Sequence, residues 1–374
     1  MRKVYVTADN IFSPIGKTTE DNMHALRAGL SGIRLHHSNI NPEPFYASLF
    51  SPGDIPADKD LTPFEQIVFL SAQNAMQRAG IDLQHSGLKT GFILSSTKGN
   101  ISLIENCSDG NIPEERISLN SSASCIAKKL GFQTEPLVIS HACISGLLAM
   151  ITGMRLIQAE VYDQLVISGG DLITSFIFSG FRSFQAISPK PCRPFDAARD
   201  GISLGEAAAS VVLSASKKPG HLEIAGGAVS NDANHISGPS RTGEELLLAI
   251  KSAMRQAGIG PKEIDFISAH GTATRYNDDM EAKAIHLALM EQVPVNSFKG
   301  YYGHTLGAAG ILESVLTMQS MKENILLPTR GFSEPGTEQP VNVIKELRPA
   351  KLHRCLKTAS GFGGCNAAIV VVSC

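Results

Sequence analysis

The 374-residue chain has seven cysteines but no Cys-x-x-C pair. That absence removes the usual structural-zinc and thioredoxin-like spacings. The basic start, Met1-Arg2-Lys3, is followed by no apolar stretch long enough for a secretory signal, so reduced thiols and a cytoplasmic location are expected. Dense Lys/Arg blocks are missing as well and the formal charge is -2, which speaks against a nucleic-acid partner. The least charged stretch, Leu137 to Ile157, holds only His141 and Arg155. Its small polar residues and the turn around Cys143 fit a buried strand followed by a buried helix, so no membrane span is expected. A serine α/β-hydrolase would need a G-x-S-x-G elbow, and none is expected here. What is present is an ordinary globular composition, 43% hydrophobic and 18% charged, with chain enough for roughly two domains or one large duplicated one.

Duplication is the reading the sequence supports. Ala75-Met76-Gln77-Arg78-Ala79-Gly80-Ile81 returns as Ala253-Met254-Arg255-Gln256-Ala257-Gly258-Ile259. Upstream, Val68, Ala72, Ala75, Met76 and Ala79 register with Leu246, Ile250, Ala253, Met254 and Ala257, a one-face helical stripe in both copies. Each predicted helix ends at glycine and is followed by an apolar strand, Gly91 to Ser96 and Asp265 to Ala269. The repeat predicts a layered α/β fold in two related halves, 1–216 and 221–374. The polar hinge Ser216-Lys217-Lys218-Pro219-Gly220 joins them, between strands ending near Leu213 and starting near Leu222.

Three reactive side chains sit on turns rich in glycine or small residues. Cys143 lies in Ala142-Cys143-Ile144-Ser145-Gly146, His304 in Gly303-His304-Thr305-Leu306-Gly307-Ala308-Ala309-Gly310, and His270 in Ala269-His270-Gly271-Thr272-Ala273-Thr274. Aligning Cys143 with His304 places Gly146 on Gly307, so both open equivalent helices. A cysteine at such a junction faces the unpaired N–H groups of the helix, and a lowered thiol pKa is expected. Cys125, Cys192, Cys355, Cys365 and Cys374 read as buried structural thiols, and Cys107 as a loop residue. Neutral imidazoles at 270 and 304 could donate hydrogen bonds to a thioester carbonyl and stabilise its enolate. One cysteine with two distant histidines lacks the short spacing and fourth ligand of a zinc site, so no metal is expected.

Four segments together resemble the elongating β-ketoacyl-acyl-carrier-protein synthases of the thiolase superfamily. They are 142–146, His270 to Thr274 with Asn277-Asp278, Lys299 through Gly310, and Gly361-Phe362-Gly363-Gly364. Pro194 to Gly201 resembles the family's Pro-Phe-Asp-x-x-Arg-Asp-Gly loop. The resemblance runs in order from about Val4 to Val372. It implies a thiolase-like αβαβα fold in five layers, with halves related by a pseudo-twofold axis. It further implies a Cys-His-His site for decarboxylative condensation, with Cys143 as nucleophile and His270 and His304 holding the malonyl carbonyl. Lys299 would organise the electrostatics, and the N–H groups of Cys143 and Phe362 would form the oxyanion hole. Glu313 and Asp278 would support from behind. Thr272, Thr274, Ser360, Gly361 and Gly363 would contact the substrate. No bound cofactor is implied, since substrates ride on the phosphopantetheine of an acyl carrier protein. The partners implied are that carrier and a second copy or a ketosynthase-like chain, paired through a strand near Leu137 to Ser140. Two alternatives stay open: a non-catalytic chain-length partner, which would usually lack the nucleophile, and a coenzyme A thiolase using Cys365 as second cysteine.

The chain also departs from that family. His141 stands where threonine is usual and is expected to be a satisfied buried histidine. Ser360 replaces the bulky residue of the gating loop. Phe298, Tyr301 and Tyr302 are expected in the core, and the loops between Lys98 and Pro136 look compact. Asp196, Arg199 and Asp200 read as a salt-bridged structural loop. Asp54, Asp58, Asp60 and Glu65, against Lys59 alone, leave the expected carrier-docking segment acidic.

Overall fold

Ten strands pair into one sheet: β1 (Tyr5–Phe12), β2 (Thr90–Ser95), β3 (Leu137–Ile139), β4 (Gln164–Asp171), β5 (Ala207–Ser214), β6 (Leu222–Asn231), β7 (Phe266–Ser268), β8 (Val295–Asn296), β9 (Arg354–Gly361) and β10 (Cys365–Ser373). The structure, a computed structural model, describes residues 2–85, 87–105, 107, 114–234 and 236–373. Cys374 therefore lies outside the described residues. The sheet order is β8-β7-β9-β10-β6-β1-β5-β4-β2-β3. From the central β6–β1 pair outward, each half repeats one rule: its first strand, then its fifth, fourth, second and third. The halves meet where Tyr5 and Val6 pair antiparallel with Glu223 and Leu222. The turn at 216–220 lies between β5 and β6.

Helices complete the layers. The principal ones are α1 (Pro63–Ala79), α2 (Ser145–Gln158), α3 (Ser175–Ser183), α4 (Glu244–Ala257), α5 (Arg275–Leu287) and α6 (Ala309–Glu323). α1 covers β1, β4 and β5, while α4 covers β6 and β10. Their matching stripes are what they bury: Val68, Ala72 and Ala75 on one side, Leu246, Ile250 and Ala253 on the other. Each fully buried Val or Ile side chain among them contributes about 1.5–3 kcal/mol of transfer free energy. Both helices end at a left-handed glycine, Gly80 (φ 67°) and Gly258 (φ 69°). Between the half-sheets, α2 and α6 pack against each other and against strands of both halves. The result is the five-layer thiolase-like arrangement.

The central pair packs unusually close. A Cβ on Gly310 would lie 2.2 Å from the Leu147 amide nitrogen, and one on Gly146 would lie 2.8 Å from the Gly307 carbonyl oxygen. Backbone-to-backbone contact at these glycines draws the starts of α2 and α6 together, and with them Cys143 and His304. The segment expected as compact loops is not all loop: Leu119–Leu130 is a helix. Its buried positions Ala123, Ile126 and Ala127 keep helical spacing, which the intervening serines disguise in the sequence. Among the described residues no helix is long and apolar enough to cross a membrane.

Candidate active site

Cys143 sits in a tight turn between β3 and α2. Ala142, just before it, takes the left-handed conformation (φ 45°), a costly geometry for a residue with a Cβ. Ser145 holds the turn, its hydroxyl donating to the Ala142 carbonyl (2.6 Å) and accepting from the His141 N–H (2.8 Å). The pseudo-equivalent turn before His304 uses Gly303 (φ 66°). The His304 N–H donates to the Ser203 carbonyl at 2.7 Å. The third turn is anchored by Glu281 of α5, whose carboxylate accepts from the N–H groups of His270 (2.7 Å) and Gly271 (2.6 Å).

These turns converge. The Cys143 sulfur and one ring nitrogen from each histidine all lie within 4.8 Å of one another. The two imidazoles stand nearly perpendicular with centroids 5.2 Å apart. Their hydrogen bonds settle the tautomers. The Leu306 N–H donates to His304 Nδ1 (3.3 Å), and Lys299 Nζ donates to His270 Nδ1 (3.3 Å) and to the His270 carbonyl (2.7 Å). With both Nδ1 atoms accepting, the neutral rings carry their protons on Nε2. Burial, then the charges of Lys299 and Lys357, hold both histidines well below the ordinary imidazole range; His304 adds to the effect on His270. His304 Nε2 is buried with no hydrogen-bond partner among the described residues. Two Nε2–H donors and no free imidazole lone pair suit a developing oxyanion better than a metal ion.

The thiol corrects one expectation. Burial pushes Cys143 up to about 11, although the Lys299 charge and the Phe362 backbone N–H directed at the sulfur pull it down. Desolvation of a thiolate outweighs the helix terminus here. Behind the histidines, Glu313 bridges two ammonium groups, Lys299 at 2.6 Å and Lys357 at 2.7 Å. A cavity of about 500 Å³ opens in front, lined by Cys143, His270, His304, Thr272, Thr274 and Phe362 among others. Ser360 and Gly361 also line it.

The family description "Beta-ketoacyl synthase, N-terminal domain" matches residues 54–218, and "Beta-ketoacyl synthase, C-terminal domain" matches 221–333. The chain belongs to the β-ketoacyl synthase family. Two relatives are named 3-oxoacyl-[acyl-carrier-protein] synthase 2. The one from Vibrio cholerae is 30% identical, and the one from Coxiella burnetii 29%; each alignment covers 99% of this chain and 98% of the relative. A chain from the structure of a ketosynthase in complex with its chain length factor, from Xenorhabdus doucetiae, superposes with a TM-score of 0.89 at 25% identity. That match covers 100% of this chain and 98% of the other.

Several residues of this ketosynthase stand elsewhere than the sequence suggested. Gly363 is not a wall of the cavity; its N–H donates to the Ile236 carbonyl at 2.7 Å. Among the described residues the Asp278 carboxylate bonds Phe195, Asn277 and Arg199 and not the histidines. It accepts from the Phe195 N–H (2.7 Å), faces Arg199 at 3.9 Å, and burial pushes its carboxyl to about 7. Arg199 forms its ion pairs with Asp278 and Asp279 and donates to the Asp196 carbonyl (3.1 Å) rather than to a carboxylate of its own loop, while the Asp196 carboxylate caps Ser333 and Glu334. His141 is exposed, not buried, because β3 is an edge strand. Phe298, Tyr301 and Tyr302 are core residues, as expected. The acidic segment finds cations from other elements: Lys17 for Asp54, Lys129 for Asp58 and Asp60, Arg116 for Glu65.

The spelling Gly201-Ile202-Ser203-Leu204-Gly205 does match G-x-S-x-G, contrary to expectation. Ser203 is buried, its hydroxyl accepts from the Cys192 N–H, and a short strand rather than a helix follows, so it forms no nucleophile elbow. Cys365 is buried behind Gly361, its thiol directed to the Phe362 carbonyl and pushed by burial to about 12. It does not line the cavity. Glu281 and Lys357 escaped the sequence reading. Nothing in the sequence sets either apart from an ordinary surface charge, since the face that carries Glu281 also holds Asn277 and Asp278.

Proposed function

We propose that this ketosynthase condenses an acyl group carried on Cys143 with a malonyl unit delivered by acyl carrier protein. The observation that carries the reading is the pair of neutral imidazoles beside the Cys143 sulfur, each with its Nδ1 already accepting a hydrogen bond and its proton therefore on Nε2. The sulfur attacks an acyl thioester carbonyl, the thiol proton leaves with the departing pantetheine thiol, and an acyl-enzyme forms. Malonyl-carrier then enters. Its C–CO₂ bond breaks, carbon dioxide departs, and the electron pair is held as an enolate by the Nε2–H groups of His270 and His304. The carbanion attacks the acyl-cysteine, the N–H groups of Cys143 and Phe362 receive the oxyanion, and the β-ketoacyl-carrier is released as the C–S bond breaks and the Cys143 thiolate takes a proton from solvent. Thr272 and Thr274, whose hydroxyls bond each other at 2.8 Å, would turn to the pantetheine amides. Lys299 and Glu313 position the histidines. No resident cofactor or metal takes part, and the cytoplasm is the proposed setting.

The assembly we propose uses β3. Among the described residues it is an edge strand paired only with β2, and its Leu137 is exposed. Pairing with the same strand of a second chain would continue the sheet and cover that apolar edge. The Xenorhabdus relative was solved with a chain length factor, which makes a ketosynthase-like second chain the other candidate. Retention of Cys143 disfavours a purely non-catalytic chain. Intact-mass analysis against a panel of acyl-carrier thioesters tests the reading. Acyl adducts on the native chain, absent from Cys143→Ala, are expected. Adducts that persist in that variant would overturn it.

A further inference from the structure

Lys357 is a buried cation next to the site that the condensation above does not use. It lies on β9, flanked by the buried Cys355, Leu356, Thr358 and Ala359, and its side chain is wholly buried. Its Nζ meets four acceptors and no donor: the carbonyls of Thr358 (2.6 Å), Ala269 (3.2 Å) and Ser268 (3.3 Å), and Glu313 at 2.7 Å. The three N–H groups of an ammonium answer the three carbonyls, and its charge faces Glu313 Oε2, which has no hydrogen-bond partner among the described residues, whereas a neutral amine, with two N–H groups, would turn its lone pair on an acceptor. Ser268 ends β7 and Ala269 precedes His270, so the same contacts tether the strand end that presents the imidazole.

We infer that Lys357 is a positioning residue of the condensing site. Its ammonium fixes the Glu313 carboxylate and the His270 turn, and keeps both imidazoles in the neutral form that donates from Nε2. The inference rests on the proposed condensation for its consequence, not for its geometry. Around the histidines stand Lys299, Glu313 of α6, Glu281 of α5, Lys357 of β9, Cys143 before α2, and Asp171 at the end of β4, which accepts from the Gly307 N–H (2.7 Å). At the cavity wall stand Asp200 and Arg275. Closest behind the rings, two ammonium groups balance the carboxylates of Glu313 and Glu281. Without Lys357 one ammonium faces two carboxylates, and an imidazolium becomes the replacement cation. Protonating His270 at Nδ1 would set it against Lys299 and break that 3.3 Å contact. Burial lowers the pKa of Lys357 while the Glu313 charge raises it, consistent with an ammonium that depends on its carboxylate.

The test is an NMR titration of ¹³C-labelled histidines in the full chain, His270 and His304 being assigned by loss of signal in the alanine variants. K357M should raise the titration midpoint of one or both histidines by about 1 pH unit or more. The acid limb of malonyl-carrier decarboxylation should move up in step. K357R, which keeps the charge, should titrate like the native chain. K357M/E313Q, which removes both charges of the pair, should return the midpoints toward native values. Unchanged histidine titration in K357M, or a double variant that titrates like K357M, would show a packing role alone and overturn the inference. Should K357M not fold, K357Q carries the same comparison. Native protein that never decarboxylates malonyl-carrier would sink the proposed condensation, while the titration would still decide the role of Lys357.

Discussion

A single methyl group at Gly310 probes the contact that brings the two halves of the site together. The Cβ of Gly310→Ala would lie 2.2 Å from the Leu147 nitrogen, 2.9 Å from the Gly146 carbonyl carbon and 3.0 Å from the Leu147 Cα, all backbone atoms that no rotamer can move aside. The shortest contact is about 1.3 Å inside the ~3.5 Å van der Waals distance. The helices must therefore part by roughly 1 Å or bend. Overpacking of this kind costs about 1–3 kcal/mol, less the ~1 kcal/mol that alanine gains over glycine in a helix. The net cost is about 0–2 kcal/mol, so for a chain of this length the melting temperature should fall by no more than about 3 °C. Activity should suffer more, because Cys143 precedes one helix and His304 the other. A displacement near 1 Å costs on the order of 10²-fold in turnover. Gly180→Ala is the control, since nothing lies within 4 Å of a Cβ there on α3. It should leave stability unchanged or slightly higher. Thermal unfolding and malonyl-carrier decarboxylation, measured on both variants, decide the matter. A Gly310→Ala protein as stable and as active as the native chain would refute the rigid close approach.

Other consequences follow from the same geometry. Alkylation of Cys143 by iodoacetamide, mapped by mass spectrometry, should quicken about tenfold per pH unit toward its pKa of about 11; a plateau below pH 8 would contradict the burial argument. His270→Ala and His304→Ala should each slow decarboxylation by on the order of 10²-fold while acylation of Cys143 suffers less; the reverse pattern would reassign the histidines. Asp278 has a folded pKa of about 7 against about 3.9 unfolded, so the folded state holds the extra proton. Its stabilisation is complete below about pH 4 and is lost as pH rises toward 7. Asp278→Asn should remove that slope from urea midpoints measured across this range, and an unchanged slope would place the titration elsewhere.

Much of this was legible in the chain because it depends on local pattern. Two helical stripes with the same period, each closed by glycine and followed by an apolar strand, specify α1–β2 and α4–β7 without tertiary information. Cys143, His270 and His304 announce themselves by reactive side chains on turns that few folds need. What the sequence could not show depends on partners distant in the chain. The thiol at Cys143 rises rather than falls because neighbours distant in the chain, among them His270, His304 and Gly361 of β9, bury it away from water, a cost that no helix terminus reveals. Glu281 and Lys357 look like ordinary surface charges until α5 and β9 turn them inward. His141 looks buried until β3 proves to be an edge. Sequence by itself determined the duplication, the element types and the identity of the reacting groups, since these follow from periodicity and side-chain chemistry. Tertiary structure alone decided their protonation, tautomers and separations, because desolvation and charge pairing are set by neighbours across 14 to more than 100 residues of chain, as in Lys299–Glu313 and Cys192–Lys299.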